Sequence, residues 1–282
     1  MNILSIQSWV AYGHVGNAAA VFPLQRLGTE VWAIHTVQFS NHTGYGAWRG
    51  QVLPPGLIRD CVQGITERGV LAGCDAVLTG YVGDAETGAA ILDAVAAVKA
   101  ANPRAVWCCD PVIGDVGRGV FVRPGIPEFF RDRALPAADI ATPNQFELEW
   151  LTGQTVATLA DARRAAAALS ARGPRSVLVT SLRTAETPTD ALDMIALEAG
   201  EVWHLRMPLL PVSVNGAGDA IAALFLFHRL ATGSARVALE RAAAAIHGVL
   251  RRTAEAGSRE ILLVAAQEEI VAPSRHFVAE AC

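Results

Sequence analysis

Charge is scarce in this chain. Asp, Glu, Lys and Arg make up 18% of its 282 residues, and the formal net charge is -4. No basic stripe occurs, which argues against nucleic acid or an anionic membrane surface as a partner. Cysteine is sparse too: Cys61, Cys74, Cys108, Cys109 and Cys282. The count is odd and no C-x-x-C occurs, so a disulfide framework and a zinc site both fit poorly. Buried thiols of a cytoplasmic protein are expected instead. No apolar run of about 18 residues escapes polar interruption, so no membrane span is expected. The N-terminal MNILSIQSWV lacks a basic leader region, so no secretory signal is expected either. Neither an internal repeat nor a low-complexity linker divides the chain. Residues 1–282 read as one domain.

Apolar residues are what the chain has in plenty: 52% of the total, with a mean hydropathy of +0.31. That suggests a sheet covered on both faces. NILSIQ (2–7), VWAIHTVQ (31–38), DAVLTG (75–80), AVWCCD (105–110), ADIATP (138–143) and SVLVTS (176–181) read as strands. Several are apolar throughout, as parallel strands buried on both faces should be. GAAILDAVAAVKAAN places Ile91, Val95 and Val98 at helical spacing and ends at Asn102-Pro103. LADARRAAAALSARGP is a second helix, stopped by Gly173-Pro174. LDMIALEAGEVWHLRM reads as a hairpin around Glu198-Ala-Gly-Glu201. The expected architecture is α/β: a mostly parallel central sheet, helices on both faces and a late antiparallel hairpin.

In such folds ligands gather at the carboxyl ends of the strands. Here those ends are polar: Gln7-Ser8, Asn41-His42-Thr43, Gly80-Tyr81, Asp110, Thr142-Pro143-Asn144 and Thr180-Ser181. Any one of them also suits a plain strand-to-loop turn. VNGAGDAIAALF (214–225) is more pointed. Gly216, Ala217 and Gly218 strip a loop of side chains and lead into Asp219 and an apolar helix. Backbone N–H groups and a helix dipole then face outward, which suits an oxyanion or a transferring phosphoryl group. Asp219 has two readings. It is either a first-turn carboxylate that stabilises the helix by roughly 0.3–1 kcal/mol, or a general base for an attacking hydroxyl. The loop alone does not decide between them.

NGAGDA before an apolar helix resembles the signature of the ribokinase-like kinases. QSWVAYGHVGNAAAVFPLQRLG (7–28), TVQFSNHTGYGAW (36–48), CDAVLTGYVG (74–83), VKAANP (98–103), CDPVIGD (109–115), TPNQFELEWLTG (142–153) and PTD (188–190) follow, in order, the pattern of the pyridoxal kinases within them. The resemblance spans nearly the whole chain. It implies ATP-dependent phosphorylation of the 5′-hydroxymethyl of pyridoxal, and of pyridoxine or pyridoxamine with it, in vitamin B6 salvage. Asp219 would be the base, with Gly216, Ala217 and Gly218 around the transferring group. Ser8 would bind the pyridine ring, with Thr43, Gly44 and Tyr81 walling its pocket and His42 and Tyr12 as further lining. Asp110 and Glu147 would serve Mg²⁺ on the nucleotide side, with Asp115 as a third candidate. Thr142, Asn144, Thr180 and Ser181 would meet the ATP phosphates or a monovalent cation such as K⁺. Met207, Pro208, Leu209 and Leu210 would line the adenine pocket, and GDVGRGVFV (114–122) would be the flap over the phosphates. Family members are dimers, so the resemblance also implies a homodimer.

The chain departs from the pattern in three places. Trp9 stands where the family has His beside the ring-binding Ser, and alternation along Ser5 to Trp9 does not decide whether the indole faces pocket or core. Gly119-Val120-Phe121 lacks the flap thiol of some bacterial members. The segment from Pro208 to Gly216 looks short, which bears on the adenine contacts. Two rival readings stay open: a kinase for hydroxymethylpyrimidine or another small alcohol, and a non-catalytic protein that binds pyridoxal phosphate.

Overall fold

Strands that are apolar on both faces need helices on both faces, and the chain supplies them. The structure, a computed structural model, describes residues 1–282. The first half runs β1 (Asn2–Val10), α1 (Asn17–Arg26), β2 (Glu30–Phe39), β3 (Gly50–Val52), α2 (Pro55–Glu67), β4 (Ala76–Thr79), α3 (Ala85–Ala101) and β5 (Val106–Cys109). A small hairpin, β6 (Gly114–Asp115) and β7 (Gly119–Val120), precedes α4 (Ile126–Phe129), β8 (Ile140–Ala141), α5 (Gln145–Thr152) and α6 (Leu159–Ser170). Then come β9 (Ser176–Leu182), β10 (Ala191–Glu198), β11 (Glu201–Pro208), α7 (Ala217–Thr232), α8 (Ala235–Glu255), α9 (Glu268–Val271) and β12 (Glu280–Ala281).

Ten strands form one sheet in the order β12-β11-β10-β9-β8-β5-β4-β1-β2-β3. The pairings from β2 through β1, β4, β5 and β8 to β9 are all parallel. The expected hairpin is β10–β11, with Glu198 opposite Glu201. Its two turn residues, Ala199 and Gly200, both have positive φ, the geometry that keeps the twist of a two-residue hairpin. Two further antiparallel edges, β3 on β2 and β12 on β11, were not expected from the sequence. Both are only two or three residues long and carry little pattern.

Alternation along the central strands divides the core into two layers. Val77 faces α2, α3, α5 and α6 through residues such as Ile58, Ile91, Leu148 and Leu169. Its neighbours Ala76 and Leu78 face α1, α7 and α8 through Leu24, Phe225 and Ala242. No helix is long and apolar enough to cross a membrane. All five cysteines are free; Cys74, Cys108 and Cys109 are buried, while Cys61 and Cys282 are only half-buried. The expectation of buried thiols therefore holds for Cys108 and Cys109 on β5 and for Cys74 just before β4, and not for those on α2 and at the C-terminus.

Candidate active site

The carboxyl ends of β1, β4, β5, β8 and β9 share one edge of the sheet, and the start of α7 meets the β1–α1 loop there. Gly216 is the N-cap of α7 with φ 90°, and a Cβ there would run into the carbonyl oxygen of His14. Glycine is required at that position by conformation and close approach together. Gly218 differs: a Cβ there would meet nothing within 4 Å. Ala217 and Gly218 lie in the first turn of α7, where N–H groups have no intrahelical acceptor. The half-buried Asp219 carboxylate follows. Burial pushes its pKa up to about 6, opposed by the Gly16 N–H and its own N–H. At neutral pH it is mostly ionised and can accept a proton.

The loop between β1 and α1 joins this loop to the substrate side. The β1–β2 register slips between Gln7 and Trp9, where β2 bulges at Thr36–Val37 opposite Ser8. Ser8 is buried, and its Oγ and carbonyl lie against Gly16, where a Cβ would collide. Ser8, Gly16 and Asp219 are thus neighbours. Beneath them Ser5 Oγ donates to Asn17 Oδ1 at 2.7 Å, and Gln7 Nε2 donates to Ser5 Oγ at 3.0 Å. Trp9 belongs to neither main core layer. It is half-buried and leans on His35, ring centroids 4.8 Å apart.

Thr43 and Gly44 sit in a short exposed turn, Thr43–Tyr45, with Gly44 between His42 Nδ1 and Asn215 Nδ2. That places the turn directly beside the approach to Gly216. Tyr81 packs against Val10, Val37 and Phe39 at the end of β4, and its carbonyl accepts from Thr36 Oγ1 at 2.8 Å. Tyr12 is exposed at 62%, 6.2 Å from the Tyr45 ring.

On the other side the carboxylates dominate. Asp110 is buried and its pKa rises to about 8, through burial and then the charge of Asp219. Thr142 Oγ1 donates to it at 2.9 Å. Glu147 is also buried and raised, by burial and then by Asp110. Its Oε1 accepts from the Ile113 N–H at 2.9 Å and its Oε2 from the Asn144 N–H at 2.9 Å. Asn144 caps α5, its Oδ1 accepting from the Glu147 N–H, while its Nδ2 donates to the Gly114 carbonyl at 2.8 Å. Both polar atoms of Asn144 are therefore engaged, one in the cap of α5 and the other at the base of the β6–β7 hairpin. Asp115 is exposed on that hairpin and accepts from the Val116 N–H, apart from the buried carboxylates.

Thr180, Ser181, Met207, Pro208, Leu209 and Leu210 line one cavity of about 150 Å³ with Ala217 and Gly218. Ser181 has φ 55°, which distorts β9 beside the first turn of α7. Val212, Ile246, His247 and Leu250, which belong to no motif in the sequence, close the same cavity.

No cluster of three His, Cys, Asp or Glu side chains is arranged to hold a metal unaided. The donor set at Asp110 and Glu147 is two carboxylates, each raised by the other's or a neighbour's charge and by burial. An all-oxygen site of this kind suits Mg²⁺ that takes its remaining ligands from water and phosphate.

A family profile described as phosphomethylpyrimidine kinase matches residues 27–263. A Granulibacter bethesdensis protein, Pyridoxal kinase PdxY, is 66% identical over the full length of both chains. Another of that name, from Rubrobacter xylanophilus, is 58% identical over 98% of this chain and 96% of its own. The chain belongs to the pyridoxal kinase family. Among solved structures, a pyridoxal kinase from Leishmania donovani, in complex with ADP and ginkgotoxin, superposes with a TM-score of 0.93 at 30% identity. The match covers 100% of this chain and 99% of that one. The ribokinase-like fold is thereby shown.

Glu260 joins the loops beside this site and carries no motif in the sequence. Its carboxylate accepts from the Tyr45 hydroxyl at 2.5 Å and the His14 N–H at 3.3 Å, and lies 3.2 Å from His42 Nε2. A charged residue in the loop after a long helix reads as solvated, and nothing local reveals partners more than 200 positions away. Asn17 was also missed, because an Asn at the start of a helix reads as a cap.

Proposed function

We propose that this chain transfers the γ-phosphoryl group of ATP to the 5′-hydroxymethyl of pyridoxal, yielding pyridoxal 5′-phosphate for vitamin B6 salvage. The observation that carries this is the position of Asp219. It stands one residue beyond an open glycine, between a polar cleft on the Ser8 side and an apolar cavity on the Met207 side. In our reading Asp219 takes the hydroxyl proton, and the N–H groups of Ala217 and Gly218 hold the transferring oxygens. Phosphoryl transfer depends chiefly on such positioning and charge compensation.

Ser8 meets the ring, with Thr43, Gly44 and Tyr81 around it. A flat heteroaromatic needs an apolar wall and a few placed polar contacts. Met207 to Leu210 receive the adenine, and Thr180 and Ser181 face the phosphates or a K⁺ ion. Asp110 and Glu147 would hold Mg²⁺, which supplies charge neutralisation on the phosphates. Thr142 orients Asp110, and Asn144 acts on the nucleotide through the flap that it anchors. The free thiols support a reducing, cytoplasmic setting, and membership of the family supports a homodimer.

Turnover across a panel of alcohols with MgATP tests the substrate assignment. Pyridoxal, pyridoxine and pyridoxamine should exceed hydroxymethylpyrimidine in kcat/KM by about 10–100-fold, the discrimination that a shaped pocket with polar contacts reaches. A preference for the pyrimidine would overturn it.

A further inference from the structure

We propose that Glu260 is a positioning residue that ties the two substrate-side loops together beside the anion loop, and that affinity for the vitamer depends on this tie. The inference rests on the pyridoxal kinase reading above.

Glu260 projects from an anchored segment. Ser258 Oγ donates to the Glu260 carbonyl at 2.7 Å and accepts from the Glu260 N–H at 3.1 Å. The Ser258 N–H donates to the Thr253 carbonyl, and the Leu262 N–H to Thr253 Oγ1. Ile261 and Leu263, on either side of Leu262, are fully buried. The carboxylate therefore starts from a fixed backbone, and its side chain is only 11% exposed.

All its long-range partners come from the substrate side. Tyr45 and His42 belong to the turn that carries Thr43 and Gly44, and their rings stack at 4.5 Å. His14 belongs to the loop whose carbonyl abuts Gly216 and whose Gly16 N–H faces Asp219. Gly13 makes room for the tie: it has φ 87°, and a Cβ there would collide with the Glu260 carboxylate. Arg259 adds a guanidinium 5.2 Å from the Tyr45 ring centroid. Short exposed loops of this kind, with few apolar contacts, belong to the low-stability part of a fold. A single carboxylate that accepts from both fixes their separation, and that separation sets the width of the ring pocket. A charged acceptor makes each of these hydrogen bonds stronger than a neutral one would be.

The test uses Glu260→Ala, Glu260→Gln, Tyr45→Phe and the double variant Glu260→Ala/Tyr45→Phe, all in the full chain. Glu260→Ala should raise KM for pyridoxal about tenfold, the scale of a lost charge-assisted hydrogen bond, with KM for ATP within about twofold. Glu260→Gln keeps one acceptor and should fall between. Tyr45→Phe should raise KM for pyridoxal by itself, and the double variant should be no worse than Glu260→Ala. Amide exchange of residues 12–16 and 42–46 needs no turnover, and both segments should exchange faster in Glu260→Ala. Unchanged exchange overturns the tie. So does a parallel rise of both KM values, the mark of a residue that only supports the fold, or additive effects in the double variant. If Glu260→Ala does not fold, Tyr45→Phe carries the test, and an unchanged pyridoxal KM there overturns it. A wild-type enzyme that phosphorylates the pyrimidine and not pyridoxal would sink the functional reading, while the exchange result would still decide the tie.

Discussion

The two ends of the central sheet treat charge in opposite ways. At the amino ends of the parallel strands Asp139 is paired with Lys99 at 2.7 Å and Arg175 at 3.3 Å, and Glu198 with Arg229 at 2.7 Å. Asp139, Arg175, Glu198 and Arg229 line the larger cavity, about 410 Å³, with Ser176 and Gly200. At the carboxyl ends Asp110, Glu147 and Asp219 raise one another or are raised by burial, and no Arg or Lys answers them. The cavity beside Gly218 measures only about 150 Å³. The larger cavity and the unpaired buried carboxylates thus lie at opposite ends, and the proposed site stands with the carboxylates. A protein that only needed to fold would pair or delete buried carboxylates. Leaving three without a cation makes sense where a cation and a polyphosphate arrive with the substrate.

The sharpest way to break this contrast is one neutralising substitution at each end. Asp110→Asn should cut turnover on the order of 100-fold, the scale of electrostatic groups around a transferring phosphoryl. It should not lower ligand-free stability, because it removes a buried repulsion. Asp139→Asn should leave turnover within about twofold and cost about 1–3 kcal/mol in urea unfolding, since it weakens charged hydrogen bonds. Equal losses of turnover in the two variants would erase the distinction.

Within the anion loop the contrast is between two glycines that look alike in the sequence. Gly216→Ala forces a side chain to positive φ and into the His14 carbonyl, and should cost about 1–3 kcal/mol as well as activity. Gly218→Ala enters open space and should change Tm by no more than about 2 °C, within the range of a neutral surface change. Turnover should still fall about tenfold or more, because in the proposed mechanism the methyl group would stand where the phosphoryl oxygens approach the N–H groups. Matched losses of Tm and turnover in Gly218→Ala would make this loop structural throughout.

The strands were legible because each is a short apolar run between polar ends, as at Asp75–Gly80 and Ser176–Ser181. The β10–β11 hairpin was legible from its Ala-Gly turn. The rim residues Ser8, Asp110 and Thr180 were legible as strand ends, since topology sends all such ends to one side. The division of labour between Gly216 and Gly218 was not, because it depends on where His14 lies. Nor was Asn144's engagement with the flap, which needs the fold of Gly114 to be known. Glu260 was hidden most deeply: its partners lie 215 to 246 positions away, and one carboxylate in GSREIL carries no period or motif.

In pH dependence the two ends should act with opposite sign. Asp139 is held below the ordinary carboxylate range: Lys99 and Arg175 and the Trp107 N–H outweigh the opposing effect of burial. Its contribution is complete above about pH 4, the unfolded value, and is lost as pH falls through its folded pKa. Asp110 is raised to about 8 by burial and by Asp219. The folded state keeps a proton that the unfolded chain releases, so ligand-free stability should decline as pH rises from about 4 to about 8. Urea titrations of wild type and Asp110→Asn should differ in that slope and agree in the acid limb. An identical slope in both would remove Asp110 from the account.

The chemical step at Asp219 is where the proposed mechanism is tested most directly. Rapid-quench measurement with pyridoxal and saturating MgATP follows phosphoryl transfer apart from product release. Asp219→Asn should slow that step by about 10²–10⁴-fold, the usual loss for a general base, while the Kd for MgATP stays within about twofold. Transfer within a few-fold of wild type would show that Asp219 only stabilises the start of α7, and would contradict the mechanism.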